Sequence, residues 1–190
     1  LRYLACIAMG LPVWYCVGIL IKFSKTFALL SNVQIDASLG IVFTYLGLSF
    51  GDLLSSLLSQ YFKSRKKTIT LYLYLTVIVS SCYLFVHPVS SFTFYFLCFA
   101  LGTATGYWAL FVSMSAELFG TNIRATVAST TPNFVRGAVV PLILSFKAME
   151  GNIGSVKAAV ILGIVTIGLA LVSARYLQES FGKDLNFQEE

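Results

Sequence analysis

Six long apolar runs, joined by short polar connectors, constrain this chain more than any other feature. Crossing a bilayer core of about 30 Å takes a helix of about 20 mostly apolar residues. The runs cover 3–21, 37–62, 68–86, 88–116, 125–146 and 158–174, and Asp52 and Arg136 are the only charges inside them. In hydrocarbon, backbone groups must be satisfied within the segment, which favours helices. The runs are too uniformly apolar for barrel strands, which alternate their two faces. The expected architecture is all-α: a polytopic membrane protein with one six-transmembrane-helix bundle over 1–190 and a polar tail at 175–190. The expected connectors are 24–36, 63–67, 87–91, 117–124 and 147–157.

Composition narrows the function classes. Hydrophobic residues make up 57% of the chain and charged residues 11%, against about 25% charged in soluble domains. That excludes an ordinary water-soluble enzyme, a disordered chain and a nucleic-acid partner. The net charge of +5 reads as loop charge facing anionic headgroups, so membrane lipid is an expected partner. Cys6, Cys16, Cys82 and Cys98 sit inside apolar runs without a C-x-x-C pair, and His87 is the lone histidine, in an outer connector beside Pro88. Neither a metal site, a cofactor nor a disulfide framework is expected. No nucleophile–base pair is visible, so no enzyme is expected. No signal peptide precedes the first run, and the start at Leu1 reads as a piece of something longer.

Basic residues set the expected orientation. One set of run ends holds Arg2, Lys63, Arg65, Lys66, Lys67, Arg124, Arg175 and Lys183; the opposite set holds only Lys22, Lys25, Lys147 and Lys157. The richer side, with both termini, is expected in the cytosol, which implies a plasma (inner) membrane location.

The fourth connector reads Ala116-Glu117-Leu118-Phe119-Gly120-Thr121-Asn122-Ile123-Arg124-Ala125-Thr126. It resembles the E-[LI]-F-P-T-x-[IV]-R-A-T element between helices ten and eleven of the major facilitator superfamily, in its sugar-porter and metabolite–proton symporter branches. The tail segment Leu177-Gln178-Glu179-Ser180-Phe181-Gly182-Lys183-Asp184-Leu185 is similar to the L-P-E-T-x-G-K-x-L element after helix twelve. Gly120 and Gln178 replace the family's prolines. Of the basic motif after helix eight, only the end Lys63-Ser64-Arg65-Lys66-Lys67 survives.

The resemblance covers the whole chain as helices seven to twelve. It implies the C-terminal half of a secondary active transporter that moves a small polar metabolite, a sugar or an organic anion, by alternating access coupled to protons. The implied partner is an N-terminal six-helix half or a second copy. A non-transporting six-helix membrane protein, such as a receptor or assembly partner, remains the alternative.

Charges at the cytosolic ends are candidates for a gate that closes by ion pairing: Glu117 and Arg124 around the turn, Arg65, Lys66 and Lys67 beside it, and Glu179 with Lys183 at i, i+4 in the tail. Exposed pairs of this kind contribute only about 0–1 kcal/mol, and basic loops also serve simply to orient a membrane protein.

Charges within a bilayer are functional candidates by default. At 1.5 Å per residue, Arg136 lies about 18 Å and Asp52 about 15 Å from the cytosolic end. Three readings of Arg136 stay open: a ligand for an anionic substrate group, a counter-charge to a proton-carrying Asp52, or a structural cation on backbone carbonyls. Asn133 lies in the same stretch, between Pro132 and Pro141. In the family, helices seven and ten line the pathway, which adds Trp14 and Tyr15, and Tyr107 and Trp108, as substrate-site candidates. Trp108 is the nearest match to a helix-ten tryptophan of sugar porters. Gly47-x-x-x-Gly51 and Gly102-x-x-x-Gly106 allow close helix approach.

Overall fold

A computed structural model describes residues 1–30, 33–86 and 88–189. His87 lies outside the described residues, as do Ser31, Asn32 and Glu190. The described chain is helical throughout its regular structure: α1 (Arg2–Tyr15, continued by a π-helical segment Cys16–Ile21), α2 (Ser24–Leu30), α3 (Ala37–Tyr61), α4 (Arg65–Phe85), α5 (Ser91–Thr105), α6 (Trp108–Glu117), α7 (Thr121–Gly137), α8 (Val139–Ile153) and α9 (Ser155–Tyr176). Among the described residues, five helical stretches are long and apolar enough to cross a membrane: Arg2–Ile21, Ala37–Tyr61, Arg65–Phe85, Ser91–Glu117 and Ser155–Tyr176.

Polar residues in the connectors start several of these helices. The side chains of Asp36, Ser64 and Ser90 accept the backbone N–H of Ser38, Lys67 and Thr93, respectively. Each satisfies a donor that the first helical turn leaves without an internal partner.

Three expected boundaries are corrected. The 24–36 connector contains the short helix α2. The fourth run is not one helix: it breaks at Gly106–Tyr107 and restarts at Trp108. The fifth run is divided at Ala138, and its second half, α8, continues to Ile153 through most of the expected 147–157 connector. Pro141 lacks the N–H that would bond back across that junction, which loosens the helix there. Ala138 and Leu142 still donate to the carbonyls of Phe134 and Ala138, so the chain stays helical on both sides.

Helix α1 is the most enclosed, burying Cys6, Met9 and Val13 among α9, α7 and α6. The core has two tiers along the helices. One gathers Met9, Tyr72, Tyr107, Phe111 and Met114; the other gathers Tyr15, Ile19, Phe27, Phe94 and Phe146. The closest helix pair is α3 with α5. Their glycines interlock: a Cβ on Gly47 would overlap the Phe99 carbonyl, one on Gly51 that of Thr103, and one on Gly102 that of Thr44.

Helix α3 turns Leu46, Phe50, Leu53 and Leu57 outward, and α9 does the same with Ile164 and Val172. In water such continuous apolar faces are association or aggregation surfaces; in lipid they are solvated.

Candidate functional site

The predicted residues fall into two clusters, one midway along the helices and one at the end where α3 stops and α4 begins. The mid-helix cluster forms around the restart of the broken fourth run. Asp52, on α3, accepts the backbone N–H of Ala109 at 3.0 Å, 57 residues away in sequence. The carboxylate therefore sits at the first turn of α6, where unpaired N–H groups and the helix dipole favour negative charge. Gly51 and Gly106 make this possible, because their backbones touch and bring Asp52 alongside the break.

Trp108 opens α6 and meets two more candidates. Trp14 packs edge-on against it, with ring centroids 6.1 Å apart. The Arg136 guanidinium lies over its ring at 5.5 Å from the centroid, a cation–π contact. Ala109, Asn133 and Arg136 are exposed on this flank, while Asp52, Trp14 and Trp108 are half-buried. The Trp14 indole N–H is enclosed without an acceptor among the described residues, and such a donor calls for an explanation.

Of the three readings of Arg136, a direct ion pair with Asp52 is not formed among the described residues. Among the described residues the ion pairs are Arg2–Glu189 and Arg65–Glu117. Asp52 is held by the α6 backbone instead, and Arg136 by an aromatic face. Tyr15 and Tyr107 are fully buried, and their hydroxyls donate to the carbonyls of Ala159 and Met9 at 2.9 and 3.1 Å. Both rings pack inside the bundle, away from the exposed flank. Asn133 lines a separate groove of about 440 Å³ with Thr130, Phe134 and Pro141.

The second cluster closes the basic end. Arg65 forks onto Glu117, donating from Nη2 at 3.0 Å and Nε at 3.3 Å. Ser180 donates to the same carboxylate at 2.6 Å. Glu179 reaches back to the start of α4, accepting the N–H of Arg65 at 2.9 Å and of Lys66 at 3.3 Å and the hydroxyl of Ser64. It also accepts from Ser180 and Phe181 in its own turn. Burial alone would raise this carboxyl, but the bonds from Ser64, Phe181, Arg65 and Ser180 outweigh it and hold the group below its ordinary value. Lys66 caps the end of α9 by donating to the carbonyls of Arg175 and Leu177, each at 2.8 Å.

Two sets of gate candidates at this end find other partners. Arg124 does not meet Glu117; it donates to the carbonyls of Phe119 and Leu185 and ties the turn to the tail. Lys183 does not meet Glu179, because the tail beyond Tyr176 is not helical and i, i+4 neighbours no longer share a face. Lys183 donates to Gln178 at 3.1 Å. Lys67 is exposed beyond the network.

Sequence reasoning missed Ser64, Ser180 and the pair Arg2–Glu189. Ser64 carried a signal, since a serine just before a helical run is a capping residue. The other two depend on tail contacts that leave no local pattern. The tail crosses the α6–α7 turn, where Thr121 donates to Phe187 at 2.8 Å and Asn122 exchanges two bonds with Glu189.

No protein-family model matches the chain, and no curated protein matches it.

Proposed function

We propose that this chain is one bundle of a secondary active transporter of major-facilitator type, with α7 and α8 together as its fifth span and α9 as its sixth. The basic end faces the cytosol in this reading, and both termini lie there. The observation that carries it is the convergence of Asp52, Trp14, Trp108 and Arg136 around a broken helix on an exposed flank. Discontinuous helices with free backbone ends near the midplane suit binding sites in transporters. A cationic fork, two indoles and a helix-capping carboxylate offer charge, stacking and hydrogen bonding to a small polar metabolite.

The flank is open on its outer side. Helix α7 buries only Val127, Thr131 and Val135 and exposes Ser129, Asn133 and Arg136. A polar helix face within a membrane needs water or a protein neighbour. A facing six-helix bundle, separate or a second copy, provides both across an aqueous pathway. The E-L-F-G-T-N-I-R-A-T segment at 117–126 supports the same family reading.

Uptake into proteoliposomes tests the proposal, with this chain assembled with its facing bundle and a panel of sugars and organic anions under an imposed proton gradient. Substrate accumulation is expected. Absence of flux for the whole panel would favour the non-transporting reading, which the eroded basic motif before Lys67 also fits. Asp52→Asn keeps an acceptor for the α6 N–H but removes the charge. It is expected to flatten the pH dependence of uptake while leaving the fold intact; an unaltered pH profile removes Asp52 as the proton site.

A further inference from the structure

The basic end carries a second feature that the network around Glu117 and Glu179 does not use. A groove of about 680 Å³ opens between the α3–α4 corner and the end of α9, lined by Phe62, Lys63, Lys66, Lys67, Arg175 and Glu179. We propose that it binds the phosphate headgroup of an anionic phospholipid. The site rests on the membrane reading above, though not on transport.

Four cations and one carboxylate line the groove, and the carboxylate is already consumed. Glu179 accepts from Ser64 and from the N–H groups of Arg65, Lys66, Ser180 and Phe181. Lys66 is consumed as well, on the last carbonyls of α9. Lys63, Lys67 and Arg175 are exposed, and none forms an ion pair among the described residues. Three uncompensated cations around one concavity fit a phosphate.

The backbone reinforces the assignment. Lys63 has φ 50°, the left-handed position after a helix that glycine normally fills. Ser64 donates to Ser59 at 3.2 Å and Lys63 to Gln60 at 3.3 Å, which completes the reversal of the chain. A lysine in this conformation is strained relative to glycine, and it places a third basic side chain on the groove.

The surroundings distinguish a lipid from a soluble phosphate. Phe62, which lines the groove, is 40% exposed; Tyr61 before it in the sequence is 82% exposed, and Val172, one turn before Arg175 on α9, is 67% exposed. Aromatic residues at a span end mark the headgroup level, and the apolar face below them suits acyl chains. Basic pockets between spans on the cytoplasmic side recognise lipid headgroups in this way.

The test is lipid retention. The chain is reconstituted in vesicles of equimolar phosphatidylglycerol and phosphatidylcholine, extracted in mild detergent, and its bound lipid measured by native mass spectrometry. Phosphatidylglycerol is expected to be strongly enriched. The triple variant Lys63→Gln, Lys67→Gln, Arg175→Gln should lose the enrichment, and Lys147→Gln with Lys157→Gln at the opposite end should keep it. If the triple variant fails to fold, the single changes Lys67→Gln and Arg175→Gln are each expected to lower retention about fivefold. Retention that survives these changes, or falls equally in the opposite-end variant, overturns the site. Displacement by millimolar glycerol 3-phosphate would reassign it to a soluble phosphate compound. A chain that alkaline carbonate strips from the vesicles overturns the membrane reading and the site together; one that stays embedded without enrichment overturns the site alone.

Discussion

The two clusters use the same kinds of side chain and treat them differently. At the basic end, both carboxylates are filled with donors: Glu117 takes Arg65 and Ser180, and Glu179 takes a hydroxyl and four backbone N–H groups. At the mid-helix cluster, among the described residues, Arg136 meets only an aromatic face and the Trp14 N–H has no acceptor. Saturated charges fix a shape, whereas charges left with spare capacity are suited to meeting something that comes and goes. The first cluster is read as a fastening and the second as a site.

That contrast can be broken by experiment. The largest effect is expected from Arg136→Ala. Truncating one partner of a buried, hydrogen-bonded charge pair costs about 2–5 kcal/mol in binding, so for a substrate anion enclosed on Arg136 between the two bundles uptake efficiency should fall about 30-fold or more. The melting temperature should hardly change, since Arg136 is exposed. A large stability loss with normal uptake kinetics would move Arg136 into the fastening class.

Glu117→Gln should show the reverse pattern. Hydrogen bonds to charged groups contribute about 1.5–3 kcal/mol each, and denaturant unfolding should register a loss of about that size. A change confined to the uptake KM would contradict it.

Glu179→Gln comes next, with about 1 kcal/mol expected from weakening an N-terminal cap. Its pH signature sharpens the comparison. The folded pKa is depressed, so the stabilisation is present above the unfolded glutamate value of about 4.3 and is lost as pH falls through the folded value. Wild-type stability should therefore drop in that acid window, and the variant should drop less. Identical acid profiles would remove the role. Lys183→Ala closes the series with a change within about 0.5 kcal/mol, because Lys183 bonds only the exposed Gln178 side chain.

Local patterns carried much of the fold and half of the site. Apolar run length located the helices, because the length of a run and its freedom from charge are properties of contiguous residues. The break at Gly106 was hidden because it lies within a run that stays apolar on either side, and the Gly51 backbone pressed against it explains it; the one at Ala138 carried a local signal in Pro141, whose missing N–H loosens the helix. Asp52 and Arg136 stood out because a charge in an apolar run is locally visible. Their partners did not, since a cap supplied across 57 residues and a guanidinium over Trp108 depend on how helices are arranged. The expected Glu179–Lys183 pair failed for a related reason: side-chain spacing implies contact only where the backbone is helical.

The interlocked glycines of α3 and α5 have a mechanical consequence. With backbone pressed against backbone at these glycines, neither rod can slide past the other without a clash, so the two are expected to travel together. Flexing within the bundle is then left to the interruptions of its other rods, such as the elbow at Ala138 between α7 and α8.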